Sequence, residues 1–569
     1  MDSEQHIRLE DSVAASSPTG DESRVLGYTI NKKGTAGIIH SLGESTSLWH
    51  DSHSRNDLSL GQYASAIREL PSLRHMDILV QAFFQNVAWH YDIVDEATFT
   101  NQLFHWRCLS HKQLKNAPES LPASLRAFPA LLFQVLAQAL LFQPKQHDKS
   151  LDDLKYAADM ELSDRAAEYS DTGHRLASSF RKDEISFIIV QAGLMRACFE
   201  KTTGAVTEAW HTLGTAIRDA QELGLHRLEP ASPPYLRNEG PERDLGSKLW
   251  LMLHLWDAHM AIVLGRPMST RMNPSNVPFP ALCDSNRPPR SRDVILCGYH
   301  TAHKFLQDIH DLETMDDCRL MVQNIHEALL TNIAKLPAWA SPQRSRQHEP
   351  HWLSAALEVL FTNIQFVLFA LHRPFVFVDS SNRANAVHAA TQTLASQQRL
   401  FDQTEPLQYR AFSFVFATFD AMVLIAAVHI RFPDEMMDQF SATIANFEAA
   451  LSRLKVLQAS NKLARPAYNV LQRLYGRLLA ITTPTESSHS SSGHAEGDSF
   501  SGMETEMSYV DWDGFLQPDF ENVLCPQPLT HLLCNGDSAI RPSLQTQPVY
   551  GLDESQFDFV DNSEAIPTF

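Results

Sequence analysis

The sequence predicts an all-α body flanked by two segments of different texture, and three observations carry that prediction. From about Pro71 onward, apolar residues recur at three- and four-residue spacing in one segment after another. No run of alternating apolar and polar residues reads as a strand, and there is no strand–helix–strand rhythm. Outside residues 71–481 the periodicity stops. Residues 1–70 are rich in Ser, Thr, Asp, Glu and Gly, and residues 482–569 are acidic with a low-complexity start at Ser487–Ser492. The expected organisation is a mostly disordered N-terminal segment (1–70), a large helical domain (71–481) and a disordered acidic-aromatic tail (482–569).

The helices follow in order. Met76, Leu79, Val80, Phe83, Phe84 and Val87 mark one amphipathic face. Trp89–Val94 breaks it, and Asp95–Phe99 starts another helix. Leu125–Phe142 reads as a buried helix stopped by Pro144, and Ile185–Phe199 as the next. In Trp210–Leu223, Leu213, Ile217, Ala220 and Leu223 share a face, and Gly224 supplies a left-handed cap before Leu225.

The longest element runs from Glu242 to Pro267. Its body is apolar nearly all round, so it belongs among other helices rather than on a surface. Glu242 and Asp244 suit the positive end of the helix dipole, Gly265 the cap, and Pro267 the stop. Asp257 inside this body and Arg266 beyond its end are expected to pair with each other or with neighbours, because a buried unpaired charge is costly. Trp250 and Trp256 read as core.

Prolines at 274, 278, 280, 288 and 289 mark a non-helical crossing. Helical texture resumes at 294–312, 318–336, 352–371, 386–401, 411–430, 437–457 and 464–481. Residues 411–430 are apolar enough to span a membrane, but Asp420 at the middle is expensive in lipid, so a buried core helix is the expectation.

The 569 residues, 44% of them hydrophobic, suit more than one domain-sized globular unit. A net charge of -20 argues against polyanion binding by the chain as a whole. The charge is uneven, since Glu486–Phe569 carries fifteen carboxylates and one base, Arg541. Cys108, Cys198, Cys283, Cys297, Cys318, Cys525 and Cys534 show no short repeated spacing, which fits free thiols in a reducing compartment. Met1–Ser12 is too polar for a signal peptide.

No catalytic motif is found: there is no phosphate-binding glycine loop, no G-x-S-x-G and no H-E-x-x-H. His50/His53 and His300/His303 lack a third ligand nearby, and His326-Glu327 lacks the second histidine. Catalytic, cofactor and metal residues are therefore expected to be absent. The first 107 residues hold no cysteine, and no basic stripe grips phosphate.

Several blocks, taken together, resemble the middle regulatory domain of fungal-specific transcription factors. Phe83-Phe84 through Asp95 to Phe99 resembles its opening segment. Trp210, then Gly214, Ala216, Ile217, Arg218, Ala220, Gln221, Leu223, Gly224, Leu225 and His226, is similar to a family signature. Glu242-Arg243, Leu249-Trp250, Asp257 and Leu264-Gly265-Arg266-Pro267 match its most recognisable block, and Leu371-His372-Arg373-Pro374-Phe375 a later one.

The resemblance implies nuclear transcriptional control, often of a metabolic or secondary-metabolite gene set, and no enzyme activity. It implies as partners promoter DNA, directly or through another protein, coactivator machinery and a homo- or heterodimer, with no membrane. The family carries zinc in an N-terminal module whose ligands are not seen here. A lost upstream exon, a DNA-binding partner and an unseen reader are the open explanations. A non-DNA-binding co-regulator dimerising with a zinc-containing relative is one alternative, and a helical biosynthetic enzyme another. In the tail, Trp512, Phe515, Phe520, Phe557 and Phe559 alternate with carboxylates, the pattern of an activation segment whose rings insert into a partner groove.

Overall fold

A computed structural model of the chain describes residues 60–482, apart from short stretches of which the longest are 228–240 and 273–288. The tail aromatics Trp512, Phe515, Phe520, Phe557 and Phe559 lie outside the described residues. Among the described residues there are helices and no strand, as the periodicity predicts.

The ordered body starts earlier than expected. Helix α1 (Leu60–Arg68) falls within the stretch read as disordered. Its Tyr63 is buried, and the hydroxyl donates to the Arg126 carbonyl at 3.2 Å. A nine-residue helix in a polar context leaves too few apolar repeats for periodicity to register.

Helix α2 (Leu73–Asn86) is capped by Ser72, whose side chain accepts from the His75 N–H, and it buries Met76, Leu79, Val80 and Phe83. The break after it contains one further turn, Ala88–Tyr91, ended by Asp92 at φ 45°. Asp95 then caps α3 (Glu96–Arg107), accepting from the Thr98 N–H at 2.9 Å.

Helix α4 (Ala123–Leu141) is buried along most of its length. Against it lies α5 (Leu162–Ser178), a helix the sequence reading did not single out. Its buried face is built from Ala166, Ser170, Thr172 and Gly173 beside Tyr169 and Leu176, so its apolar signal is dilute. Polar matching replaces bulk: Gln134 Nε2 donates to the Ser170 carbonyl and Ser170 Oγ to Gln134 Oε1, both at 2.8 Å. Helices α6 (Phe187–Thr203) and α7 (Val206–Glu222) pack on each other, and α6 also packs on α4.

The central helix is α8 (Pro241–Leu264). It packs on α6 and α7. Beyond it come α9 (Ser291–Thr301), a 3-10 turn at His303–Phe305, and α10 (Leu306–Leu312), which also touches α8. Helices α11 (Arg319–Ile333), α12 (Leu353–His372), α13 (Ser380–Gln403), α14 (Ser413–Arg431), α15 (Phe440–Leu457) and α16 (Ala464–Thr482) complete the body. Pairs α12–α13, α13–α14, α14–α16 and α15–α16 form a second packed group.

Helix α8 thus stands between two helical groups. On one side it meets α6 and α7. On the other, His259 lies against the Phe366 ring at 4.7 Å, and Arg373 Nη2 donates to the Ile262 carbonyl at 3.1 Å. The buried apolar residues of both groups join in one cluster.

Three described helices, Ala123–Leu141, Leu353–Phe375 (α12 with its 3-10 extension) and Ser413–Arg431, are long and apolar enough to cross a membrane by length and composition. Their most apolar windows are 83%, 72% and 61% buried within the protein. That burial accounts for the hydropathy of all three, including the Asp420 helix.

Candidate functional site

The signature residues are spread along α8 and the elements packed on it. Helix α7 ends in a Schellman-type turn: Gly224 adopts φ 78°, and the Leu225 N–H reaches back to the Ala220 carbonyl at 3.0 Å. This turn presents His226 to Trp250, with ring centroids 5.7 Å apart. Trp250 is 1% exposed, a core residue as expected. Gly214 and Arg218 lie one turn apart on α7, where Arg218 Nη1 donates to the Gly214 carbonyl at 3.3 Å on the exposed side. Glu242 and Arg243 fall in the first turn of α8, and their side chains lie outside the described residues.

Gly265 ends α8 at φ 61°, a conformation that favours glycine, and the Arg266 N–H closes the turn on the Ala261 carbonyl at 2.9 Å. Pro267 follows, exposed.

Asp257 and Arg266 do not pair with each other. The Arg266 guanidinium sits over the Trp210 ring at 4.6 Å and pins the end of α8 to α7. Asp257 is 1% exposed and belongs to the loop beyond the cap. Its Oδ2 accepts from the Ser269 N–H and the Thr270 N–H, both at 2.7 Å, and from Thr270 Oγ1 at 2.8 Å. Burial pushes the Asp257 carboxyl up from the usual range, and the three donors oppose that push.

The Thr270 hydroxyl proton is committed to Asp257. His254 Nδ1, 3.0 Å from Thr270 Oγ1, must therefore be the donor in that contact. Burial lowers the His254 pKa to about 4, so the ring is neutral at pH 7 and its Nε2 is left as an acceptor.

His254 forms part of the wall of a cavity of about 340 Å³ between α8, the loop after it, and the α9–α10 region. Met272 and Phe305 supply its apolar surface, and Tyr299, His300, Lys304, Gln307 and Asp308 the remaining polar wall. Gln307 Oε1 accepts from the Met272 N–H at 3.2 Å, which straps the loop to α10 and leaves the Gln307 amide NH₂ as a donor. Burial first, and Asp311 second, raise the Asp308 carboxyl pKa.

Neighbouring bases are buried as well. Lys201 is 6% exposed and lies over the Trp256 ring at 4.6 Å, and burial lowers its pKa to about 7. His259 and His303 are held well below the usual imidazole range, chiefly by burial.

The Leu371–Phe375 block reaches α8 by the Arg373–Ile262 hydrogen bond. Its His372 is buried between His326, at 2.9 Å, and Asn382, at 2.6 Å, while Pro374 is exposed. Among the described residues no group of three or more His, Cys, Asp or Glu is placed to hold a metal ion, and the described cysteines 108, 198, 297 and 318 are free.

Sequence reasoning missed Ser269, Thr270, His254 and the Lys304–Asp308 wall. A histidine inside the apolar run of α8 was the one available signal.

Comparison with known proteins bears on this region. Residues 80–294 match the model of the fungal specific transcription factor domain. The chain is 23% identical over 391 residues to the acetamidase regulatory protein of Aspergillus oryzae and 25% identical over 394 residues to that of Emericella nidulans, covering 65% of this chain in each case. It is 26% identical over 199 residues, 33% of this chain, to the probable transcription factor sol4 of Alternaria solani. The matched stretches span 44%, 43% and 32% of those relatives, less than half of each. The family and these relatives are regulators and not enzymes. The match contains α7, α8 and the Asp257 niche, and the Leu371–Phe375 block lies beyond it. Residues 80–294, with helix α8 among them, are thus the part of the chain similar to the fungal specific transcription factor domain.

Proposed function

We propose that the chain is a nuclear transcription regulator of a metabolic gene set, secondary-metabolite genes included, acting on promoter DNA directly or through a partner. The observation that carries this reading is the family match over residues 80–294, which contains α7, α8 and the Asp257 niche. The names of the acetamidase regulators support a metabolic target. The output is activation, exerted by residues 482–569 on coactivator machinery through Trp512, Phe515, Phe520, Phe557 and Phe559. A second reading has the same body act as a co-regulator paired with a zinc-containing relative. The net charge of -20, which disfavours direct phosphate binding, favours it.

Fusing residues 482–569 to an unrelated DNA-binding module tests the activation reading. The fusion should raise reporter output, and alanine at Trp512, Phe515 and Phe520 should reduce it. Output equal to the module alone refutes an activating tail.

A further inference from the structure

The last two helices of the body carry a charge opposite to that of the whole chain. Residues 449–482 hold six bases, Arg453, Lys455, Lys462, Arg465, Arg473 and Arg477, and no acid, in a protein of net charge -20. Arg453 is turned inward: its Nη1 donates to Gln398 Oε1 at 2.6 Å and its Nη2 to Thr418 Oγ1 at 3.0 Å. Lys455, Lys462, Arg465 and Arg473 are exposed and have no ion-pair partner among the described residues. The one acid on α15 and α16, Glu448, accepts from the Tyr475 hydroxyl at 2.8 Å.

Folding gathers these bases. They are too far apart in the sequence to read as a stripe. Helices α15 and α16 pack together, however, with Lys455 in the last turn of one, Lys462 in the connection and Arg465 in the first turn of the other. Along α16 the exposed residues from 465 to 476 are Arg465, Asn469, Gln472, Arg473 and Gly476, one face at helical spacing. Arg465 and Arg473 are ~12 Å apart along the axis, close to the width of the major groove of duplex DNA.

Charge and texture together choose the partner. Four cations spread over two helices are matched by a polyanion and not by a single anionic group. An acidic protein segment would also need an apolar groove for its side chains. Among the described residues α15 and α16 expose only two large apolar side chains, Val456 and Leu479. The Asn469 and Gln472 amides are instead suited to donate to phosphate oxygens beside the guanidinium groups. The whole-chain charge does not oppose this, because a surface responds to charge within a Debye length, ~10 Å at 0.1 M salt.

We propose that the α15–α16 face binds the phosphate backbone of duplex DNA without reading its sequence. The choice of DNA among polyanions rests on the reading of the chain as a transcription regulator. The binding itself is measured on purified components, so either can fail without the other.

Fluorescence anisotropy would follow the full chain binding a labelled 30-base-pair duplex as salt rises from 50 to 200 mM. Four phosphate contacts predict a slope of about -3.6 in log K against log salt, a loss of about 150-fold over that range. A duplex of scrambled sequence should bind within about twofold. Arg465→Gln with Arg473→Gln should make the slope shallower by about 1.8 and weaken binding at least tenfold at 50 mM salt, with the urea midpoint kept. Arg68→Gln with Arg74→Gln, an equal change of charge at exposed positions on α1 and α2, should weaken it less than threefold. No measurable binding at 50 mM salt, an unchanged slope in the α16 variant, or an equal loss in the α1–α2 variant overturns the proposal. So does displacement of the duplex by poly-L-glutamate as effectively as by unlabelled duplex at equal charge, which would assign the face to an acidic protein segment.

Discussion

Asp257 and Asp420 each interrupt a very apolar helix, and their surroundings differ sharply. Asp257 in α8 is almost wholly buried and holds three donors from the loop that follows its own helix. Asp420 in α14 is half-buried, and no described residue donates a hydrogen bond to it. Burial pushes its carboxyl up to about 6, with Arg373 the opposing charge. The contrast shows what makes a core acid tolerable. Backbone N–H groups beyond a helix end need acceptors, and an acid about two turns before that end can supply one. Mid-helix in α14, every nearby N–H is already spent within the helix.

The largest expected effect is at Asp257. Asp257→Ala leaves the buried Thr270 N–H and hydroxyl and the part-buried Ser269 N–H without their acceptor, and should lower unfolding stability by ~2–4 kcal/mol in a urea titration. Asp257→Asn keeps an acceptor and should recover part of the loss. If alanine costs no more than a surface substitution, the niche does not order the loop.

The next effect is pH dependence. His226, His254 and His303 are each lowered to about 4 in the folded chain, chiefly by burial. Between pH 6.5 and 4 the unfolded chain binds more protons at these sites, so they make stability fall as pH falls. Asp420 acts in the opposite sense. Its folded pKa is raised, so between about 4 and 6 it makes stability fall as pH rises. Asp257 and Asp308, also raised, act with Asp420. His174, His259, His300, His326, His372 and His429 are lowered too. The imidazoles therefore outnumber the carboxyls, and the urea midpoint should climb from pH 4.5 to 6.5. A flat or falling midpoint contradicts the buried-imidazole account.

The smallest effect is Asp420→Asn. It should stabilise the chain by ~1–2 kcal/mol at pH 7.5, give little gain at pH 4, and so steepen the climb between them. Destabilisation at pH 7.5 would mean that the charge of Asp420 is needed by Arg373.

Much of this contrast was legible in the sequence. The cap at Gly265, the buried Trp250 and the awkwardness of Asp257 follow from pattern alone. Of the two partners the sequence left open for Asp257, Arg266 or other neighbours, the structure selects the neighbours Ser269 and Thr270, and helix geometry explains why: Arg266 lies nine residues on, two and a half turns away and on the opposite side. Helix α5 escaped notice because it packs through Ser170, Thr172 and Gly173 rather than through bulky residues. The cavity was not readable at all. Its wall draws on α8, the loop at Met272, and the α9–α10 region, and only packing brings His254 beside Lys304 and Asp308.

The most direct test of the proposed function, transcriptional control of a metabolic gene set by a chain that needs its Asp257 niche intact, is transcript profiling of a strain lacking the gene. The strain would be complemented with the wild-type chain or with Asp257→Ala and grown on varied carbon and nitrogen sources. The prediction is a coordinated change in a small metabolic gene set, restored by the wild-type chain and not by the variant. Identical transcript levels with and without the gene across those conditions would contradict it.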